Sequence, residues 1–244
     1  MKRFFTMMLL IAGTVAIGQT RLSQTENIGW YAVYFNSPTV GKISGTAEYQ
    51  FRRVDWAESW QQSLLRAGLN YKFNAQASAQ FGLAWVLTYP YGEYSLAATP
   101  KTYPEMRIHE QLTLSSAIGK INFSNRIRLE QRWIGKLKTM ASDGPDEWIY
   151  LNRLRDLVRF EVPVTKKLYT GVFDEIFIGF GKNIGENVFD QNRVCLFLGY
   201  KFTSQWKLEG GYFSQTVQLG REIQSKNVFQ YNTGFLIAST FQFK

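Results

Sequence analysis

The sequence predicts an all-β fold: a transmembrane, antiparallel, up-and-down β-barrel of about ten, or else twelve, strands. Three observations lead there. Apolar and polar residues alternate with period two through long stretches, and no long segment shows a competing 3.6-residue period. These stretches exceed the about 5–6 residues typical of globular strands and suit the about 9–11 needed to cross a bilayer at a tilt. The connections between them alternate short and long, as in a barrel with tight turns on one rim and larger loops on the other.

Residues 1–18 read as a cleaved Sec-type signal peptide. Lys2 and Arg3 form its basic start, Phe4 to Val15 its apolar core, and Ala16-Ile17-Gly18 a cleavage site ahead of Gln19. The apolar run is too short for a comfortable spanning helix, and no later run approaches 18 apolar residues. Residues 19–41 form an N-terminal segment holding one short strand of uncertain placement, Ile28 to Asn36 ("IGWYAVYFN"). Residues 42–244 are expected to form the barrel. Of the 244 residues, Cys195 is the single cysteine, so no intramolecular disulfide and no multi-cysteine zinc site can form.

Within 42–244 the strands read off in order. "KISGTAEYQFR" sets Ile43, Gly45, Ala47, Tyr49 and Phe51 against Lys42, Ser44, Thr46, Glu48, Gln50 and Arg52. "QSLLRAGLNYKF" sets Leu65, Leu69, Tyr71 and Phe73 against Leu64, Arg66, Asn70 and Lys72, and "AQASAQFGLAWVLTY" continues the pattern through Phe81, Leu83 and Trp85. Further strands fall near 105–117, 121–134, 148–162, 168–180, 190–202, 205–217 and 227–243, which makes ten. Ile28 to Asn36 would be an eleventh. Since bacterial single-chain barrels normally have even counts, it is expected at the periplasmic rim, in the lumen, or as half of a pair that makes twelve.

The strand "NFSNRIRLEQRWI" carries the sharpest signal. One face presents Phe123, Ile127, Leu129 and Trp133; the other presents Arg126, Arg128, Glu130 and Arg132. An Arg or Lys facing lipid at the bilayer midplane costs roughly 2–4 kcal/mol, so the charged face belongs inside. The next strand adds Arg153, Arg155, Arg159 and Glu161 on one face, interrupted by Leu157, with Asp156 on the other. Two adjacent arginine rows repel unless Glu130, Glu161, Glu48 or a bound anion lies among them. With Arg66, these residues make a candidate lumen charge cluster, either a salt-bridged wall or an anion-attracting constriction. In "VFDEIFIGF", Asp174 and Glu175 point opposite ways, and one is expected to meet the arginines from within.

The leader, "RRVDWAESWQQSLLRAGLNYKF", "RIHEQLTL", "RIRLEQRW", "FDEIFIGFG", "NRVCLFLGYKF" and the aromatic last strand together resemble the domain-of-unknown-function family 2490 of Bacteroidetes-type bacteria. The resemblance spans nearly the whole mature chain, and Arg126-x-Arg128-x-Glu130-x-Arg132 is its most specific piece. It implies an outer-membrane barrel and brings no assigned activity. Phe243 near the C-terminus is similar to the signal read by barrel-insertion machinery, with Lys244 after it as a departure.

Other chemistry is sparse. His109 is the single histidine, so any acid–base scheme built on that side chain must use it; Ser115 on the same strand lies about 20 Å away. Asp143, Asp146 and Glu147 lack the spacing of a calcium loop, and "GFGKNIG" is not followed by a helix that could hold phosphate. The formal charge of +9 is interleaved along strands rather than gathered in a tail, which argues against nucleic acid. The expectation is a monomeric, non-enzymatic barrel in the outer membrane of a Gram-negative bacterium, without metal or cofactor, either a small pore or a structural or surface-interaction barrel. Its partners would be outer-membrane lipid, lipopolysaccharide and the assembly machinery. The alternatives are a barrel enzyme of the lipid-hydrolase or protease type using His109, and a secreted soluble β-sandwich that binds a ligand.

Overall fold

The computed structural model describes residues 21–185 and 188–244; the leader expected over 1–18 lies outside the described residues. The elements are β1 (Leu22–Asn36), β2 (Ile43–Val54), β3 (Ser59–Lys72), β4 (Ala77–Thr88), β5 (Tyr103–Ile118), β6 (Ile121–Lys136), β7 (Glu147–Pro163), β8 (Leu168–Phe180), β9 (Phe189–Lys201), β10 (Trp206–Gln218) and β11 (Val228–Gln242). Each pairs with its sequence neighbours and the sheet closes on itself.

Among the described residues the count is eleven, not ten or twelve. The N-terminal segment is neither a rim piece nor a lumen piece: β1 starts at Leu22 and is a full wall strand. Its first half is hard to see in the sequence because "SQTEN" after Leu22 lacks apolar residues, and the alternation becomes visible only from Ile28. With an odd number of alternating strands the first and last must run the same way. β1 and β11 accordingly pair in parallel from Leu22↔Val228 to Asn36↔Gln242, while the other ladders are antiparallel.

The two rims differ. One carries short turns, such as Gly119-Lys120 between β5 and β6. The other carries longer connections, including 89–102, 137–146 and 219–227, and β1 begins there. Connection 89–102 folds back over this mouth towards the β1–β11 seam. The Tyr91 hydroxyl donates to Gln230 Oε1 (2.8 Å), and the Tyr94 amide donates to Gln24 Oε1 (2.5 Å). Arg221 Nη2 reaches Ser95 O (2.8 Å) from the β10–β11 connection. Burial raises the Tyr91 phenol above its ordinary pKa.

A single-layered closed sheet has one inside and one outside, so alternation in sequence becomes alternation in burial. Leu65 and Leu69 are 55% and 63% exposed, whereas Leu64 and Arg66 between and beside them are buried. The same holds for Phe81, Leu83 and Trp85 against Ala84 and Val86. Aromatic rings gather towards the rims: Phe35 stacks on Phe241, and Phe202 on Trp206 (4.1 Å), at the short-turn end. Trp60 stacks on Tyr89 and Trp133 meets Tyr150 at the other.

Closure depends on close approach at the seam. A Cβ at Gly234 would stand 1.7 Å from the Ile28 carbonyl oxygen, whereas one at Gly210 would meet nothing within 4 Å. Gly234→Val is expected to cost at least about 3 kcal/mol, the upper range for overpacking, and to abolish boiling-dependent gel migration; Gly210→Ala should migrate as wild type. A folded, heat-modifiable Gly234→Val barrel would contradict this account of the seam.

Candidate functional site: an arginine–glutamate lattice across the lumen

The inward rows of β2, β3, β5, β6, β7, β8 and β9 meet at mid-height, where their registers place opposite charges side by side. Glu48 pairs with Arg66 across β2–β3 (2.6 Å). Glu130 on β6 faces Arg153 on β7; Arg153 Nη2 donates to one carboxylate oxygen (2.5 Å) and Arg155 Nη1 to the other (2.7 Å). Arg128 faces Arg155 directly, a like-charge pair. Gln111 eases it by accepting from Arg128 Nε (2.9 Å) and Nη2 (2.6 Å), while Arg128 Nη1 has no hydrogen-bond partner and stands 3.8 Å from Glu130.

Glu175 settles which of the adjacent acids on β8 faces in. Its Oε1 accepts from Arg155 Nη2 (2.6 Å) and Arg126 Nη2 (2.6 Å), and Arg193 lies 3.6 Å from Oε2. Arg126 reaches it across Leu157, the residue that interrupts the charged row of β7 and is paired with both. Towards the long-connection rim, Glu105 holds Arg107 (2.7 Å) and Arg132 (2.5 Å), and Asp190 holds Arg153 (2.6 Å). Towards the short-turn rim, Arg159 bridges Glu161 (2.6 Å) and Glu209 (2.8 Å).

The ten expected cluster residues thus all face inward, in three separate ion-pair networks rather than one: Glu48 with Arg66, Arg159 with Glu161 and Glu209, and the rest around Glu130, Glu175 and Glu105. Sequence reading missed Arg52, Glu105, Asp190, Arg193 and Glu209 as members. For Arg52 and Glu105 a signal was present, since each shares a row with Glu48 or Arg107. Arg52 donates to Gln50 and Gln62, and Arg193 to Gln191; both also lie on rings, their guanidinium carbons 3.9 and 4.5 Å from the Trp30 ring centre, with Arg193 4.4 Å from that of Phe177. Such contacts are worth about 2 kcal/mol or more when water is excluded.

This layer divides the lumen. A cavity of about 800 Å³ lies on the short-turn side and one of about 600 Å³ on the long-connection side. Trp30, Arg52, Arg155 and Arg193 line both and form the septum between them. His109 is buried beside it, its Nε2 3.0 Å from Gln80 Oε1 and its ring against Gly82. Asp146 accepts from the Lys138 amide and Ser142 hydroxyl, and Glu147 pairs with Lys136 and Lys138; these carboxylates brace the 137–146 connection.

The outer face is largely apolar, with small polar residues such as Thr25, Ser63, Ser214 and Thr233, and it carries carboxylates on β5, β7 and β8. There Glu110, Asp156 and Asp174 stand near the middle of their strands and accept from the carboxamides of Gln131 (3.1 Å), Asn125 (2.5 Å) and Asn192 (2.5 Å).

The model of the family described as "Protein of unknown function (DUF2490)" matches residues 27–226. The chain belongs to this family. The DUF2490 match runs from within β1 to the connection before β11, so it takes in every charged residue of the lattice. A search of curated proteins found no match.

Glu130 and Glu175 are the most shared carboxylates, each with two arginines bonded and a third nearby. Glu130→Gln is expected to destabilise the barrel by about 3–5 kcal/mol, because buried guanidinium charge is left uncompensated. Urea unfolding followed by tryptophan fluorescence checks it; a change below about 1 kcal/mol would mean that the lattice is solvated.

Proposed function

We propose that this chain is an outer-membrane β-barrel without a reaction of its own, exported by its leader and closed at mid-height by the arginine–glutamate septum. One observation carries the reading: large apolar side chains cover most of the outer face of the wall, while the arginines of the lattice and the acids that hold them are inside. Leu65, Leu83, Leu112, Leu154, Leu196 and Tyr212 are all outward and solvent-accessible in the isolated chain. In water such a girdle far exceeds the exposed apolar patches of soluble monomers, about 300–600 Å²; in hydrocarbon it is the required surface. Aromatic rings at both rims suit the two interfaces. The short-turn rim then faces the periplasm, and the long connections face outward, towards lipopolysaccharide. Ion pairing and ring packing fill the septum, which favours a structural or binding barrel over an open diffusion channel.

The acid–carboxamide pairs on β5–β9 fit this setting at a cost. A carboxylate facing lipid at mid-depth is unfavourable, though less so than an Arg or Lys, and a carboxamide donor offsets part of the penalty.

Expressed in a Gram-negative host, the protein should sediment with outer membranes, need detergent for extraction and migrate differently after boiling. Recovery in the soluble fraction without detergent would overturn the location. In planar bilayers the refolded barrel should show no steady unitary conductance; regular current steps would overturn the closed lumen. Replacing one polar pair, Asp174→Val with Asn192→Val, should stabilise the barrel in lipid vesicles by about 2 kcal/mol. Destabilisation in vesicles would place that face in water or against a polar partner.

A further inference from the structure

The cavity on the short-turn side has two unlike walls. Leu157, Phe173, Phe213, Leu236 and Ala238 give it an apolar wall, although the lumen of a transmembrane barrel is ordinarily polar. The remainder is strongly basic: eight Lys and Arg side chains line the cavity against three carboxylates. Glu130 and Glu161, bonded to lining arginines from outside the lining itself, compensate two more. Cationic charge therefore remains in excess in a confined space, where it is neutralised by drawing in anions.

The unpaired donors are localised. Arg66 and Arg126 line the cavity, and each already donates to one acid, Arg66 Nη1 to Glu48 and Arg126 Nη2 to Glu175. Arg66 Nε and Arg126 Nε are buried without a hydrogen-bond partner among the described residues. Unpaired guanidinium donors on the lining of a cavity of this size, within the about 300–1,000 Å³ of small-molecule sites, point to an absent acceptor. Arg126 is the more exposed of the two, its side chain 26% exposed, and it pairs in register with Leu157 of the apolar wall.

We infer that this cavity binds a small amphipathic anion, its carboxylate or phosphate head on Arg126 and Arg66 and its aromatic or acyl body against Phe173 and Leu236. The head completes the basic wall, and the body covers the part of Phe173 and Leu236 that their packing against the buried cluster leaves open to the cavity. The site depends on the barrel interior and not on the bilayer proposed above, so a failed membrane fractionation leaves it standing.

Calorimetric titration of the barrel refolded in a zwitterionic detergent tests the inference, with titration into detergent alone subtracted. The probes are 2-naphthoate, its neutral analogue 2-naphthalenemethanol and inorganic phosphate. Saturable binding of 2-naphthoate is expected at one site, at least tenfold tighter than either of the others. Arg126→Met should weaken it roughly tenfold or more, the loss of one charge-assisted hydrogen bond. Leu236→Asn should weaken 2-naphthoate and leave phosphate unchanged. Boiling-dependent migration confirms that each variant is folded; if Arg126→Met does not fold, Leu236→Asn decides alone. Equal affinity for 2-naphthoate and the neutral analogue, equal affinity for 2-naphthoate and phosphate, or no effect of Leu236→Asn would each overturn the site.

Discussion

Everything in this molecule depends on the hydrogen-bonded seam between β1 and β11. Until that ladder forms, the sheet has two edges and no interior, and its arginine rows face water like any other polar surface. Once it forms, the same alternation along each strand sorts side chains into an enclosed set and an outward set. Closure also removes the two rows of unpaired backbone groups that an open sheet would leave along its edges. The small residue at the crossing with Ile28 lets the two backbones approach closely enough for this.

The lattice inside is built on sharing. Glu130, Glu175 and Glu105 each serve two or more arginines, so the guanidinium groups outnumber the acids that hold them. Taking so many ions out of bulk water carries a large desolvation penalty, repaid only where geometry is good and the remaining donors are met. Gln111, Gln50 and the rings of Trp30 and Phe177 take up several of those donors. Apolar residues of similar volume would fill the same space at less cost. Retaining ions there sets an electrostatic field within the lumen and fixes which side chains stand at the septum.

Much of this was legible in the sequence because a barrel wall is one residue thick. Period two along "NRIRLEQRW" places Arg128 inside and Leu129 outside without reference to any other strand. The strand ends were visible for the same reason, since turn residues interrupt the alternation. What the sequence concealed involves distance across the lumen. The contacts of Arg126 with Glu175 and of Arg159 with Glu209 skip at least one intervening strand. They depend on barrel width and side-chain length, which no single strand records. The paired acids Asp174 and Glu175 were unresolved because neighbouring carboxylates satisfy either phase of the alternation; the arginines opposite decide it. β1 was visible only over Ile28 to Asn36; the polar composition of its first half hid its start, and the expectation of an even strand number hid its place in the wall.

Closing a sheet of sequence neighbours on itself has a kinetic consequence. Each internal ladder joins sequence neighbours, whose encounter closes a short loop at little entropic cost. The sealing ladder joins Leu22 to Val228 and so spans nearly the entire chain. A nascent or truncated barrel lacking its last strand remains a curled ribbon with two open margins, able to pair with whatever strand it meets. Sealing thus waits for β11, made after the ten strands before it, and the period before it arrives is when the barrel is most exposed to mispairing.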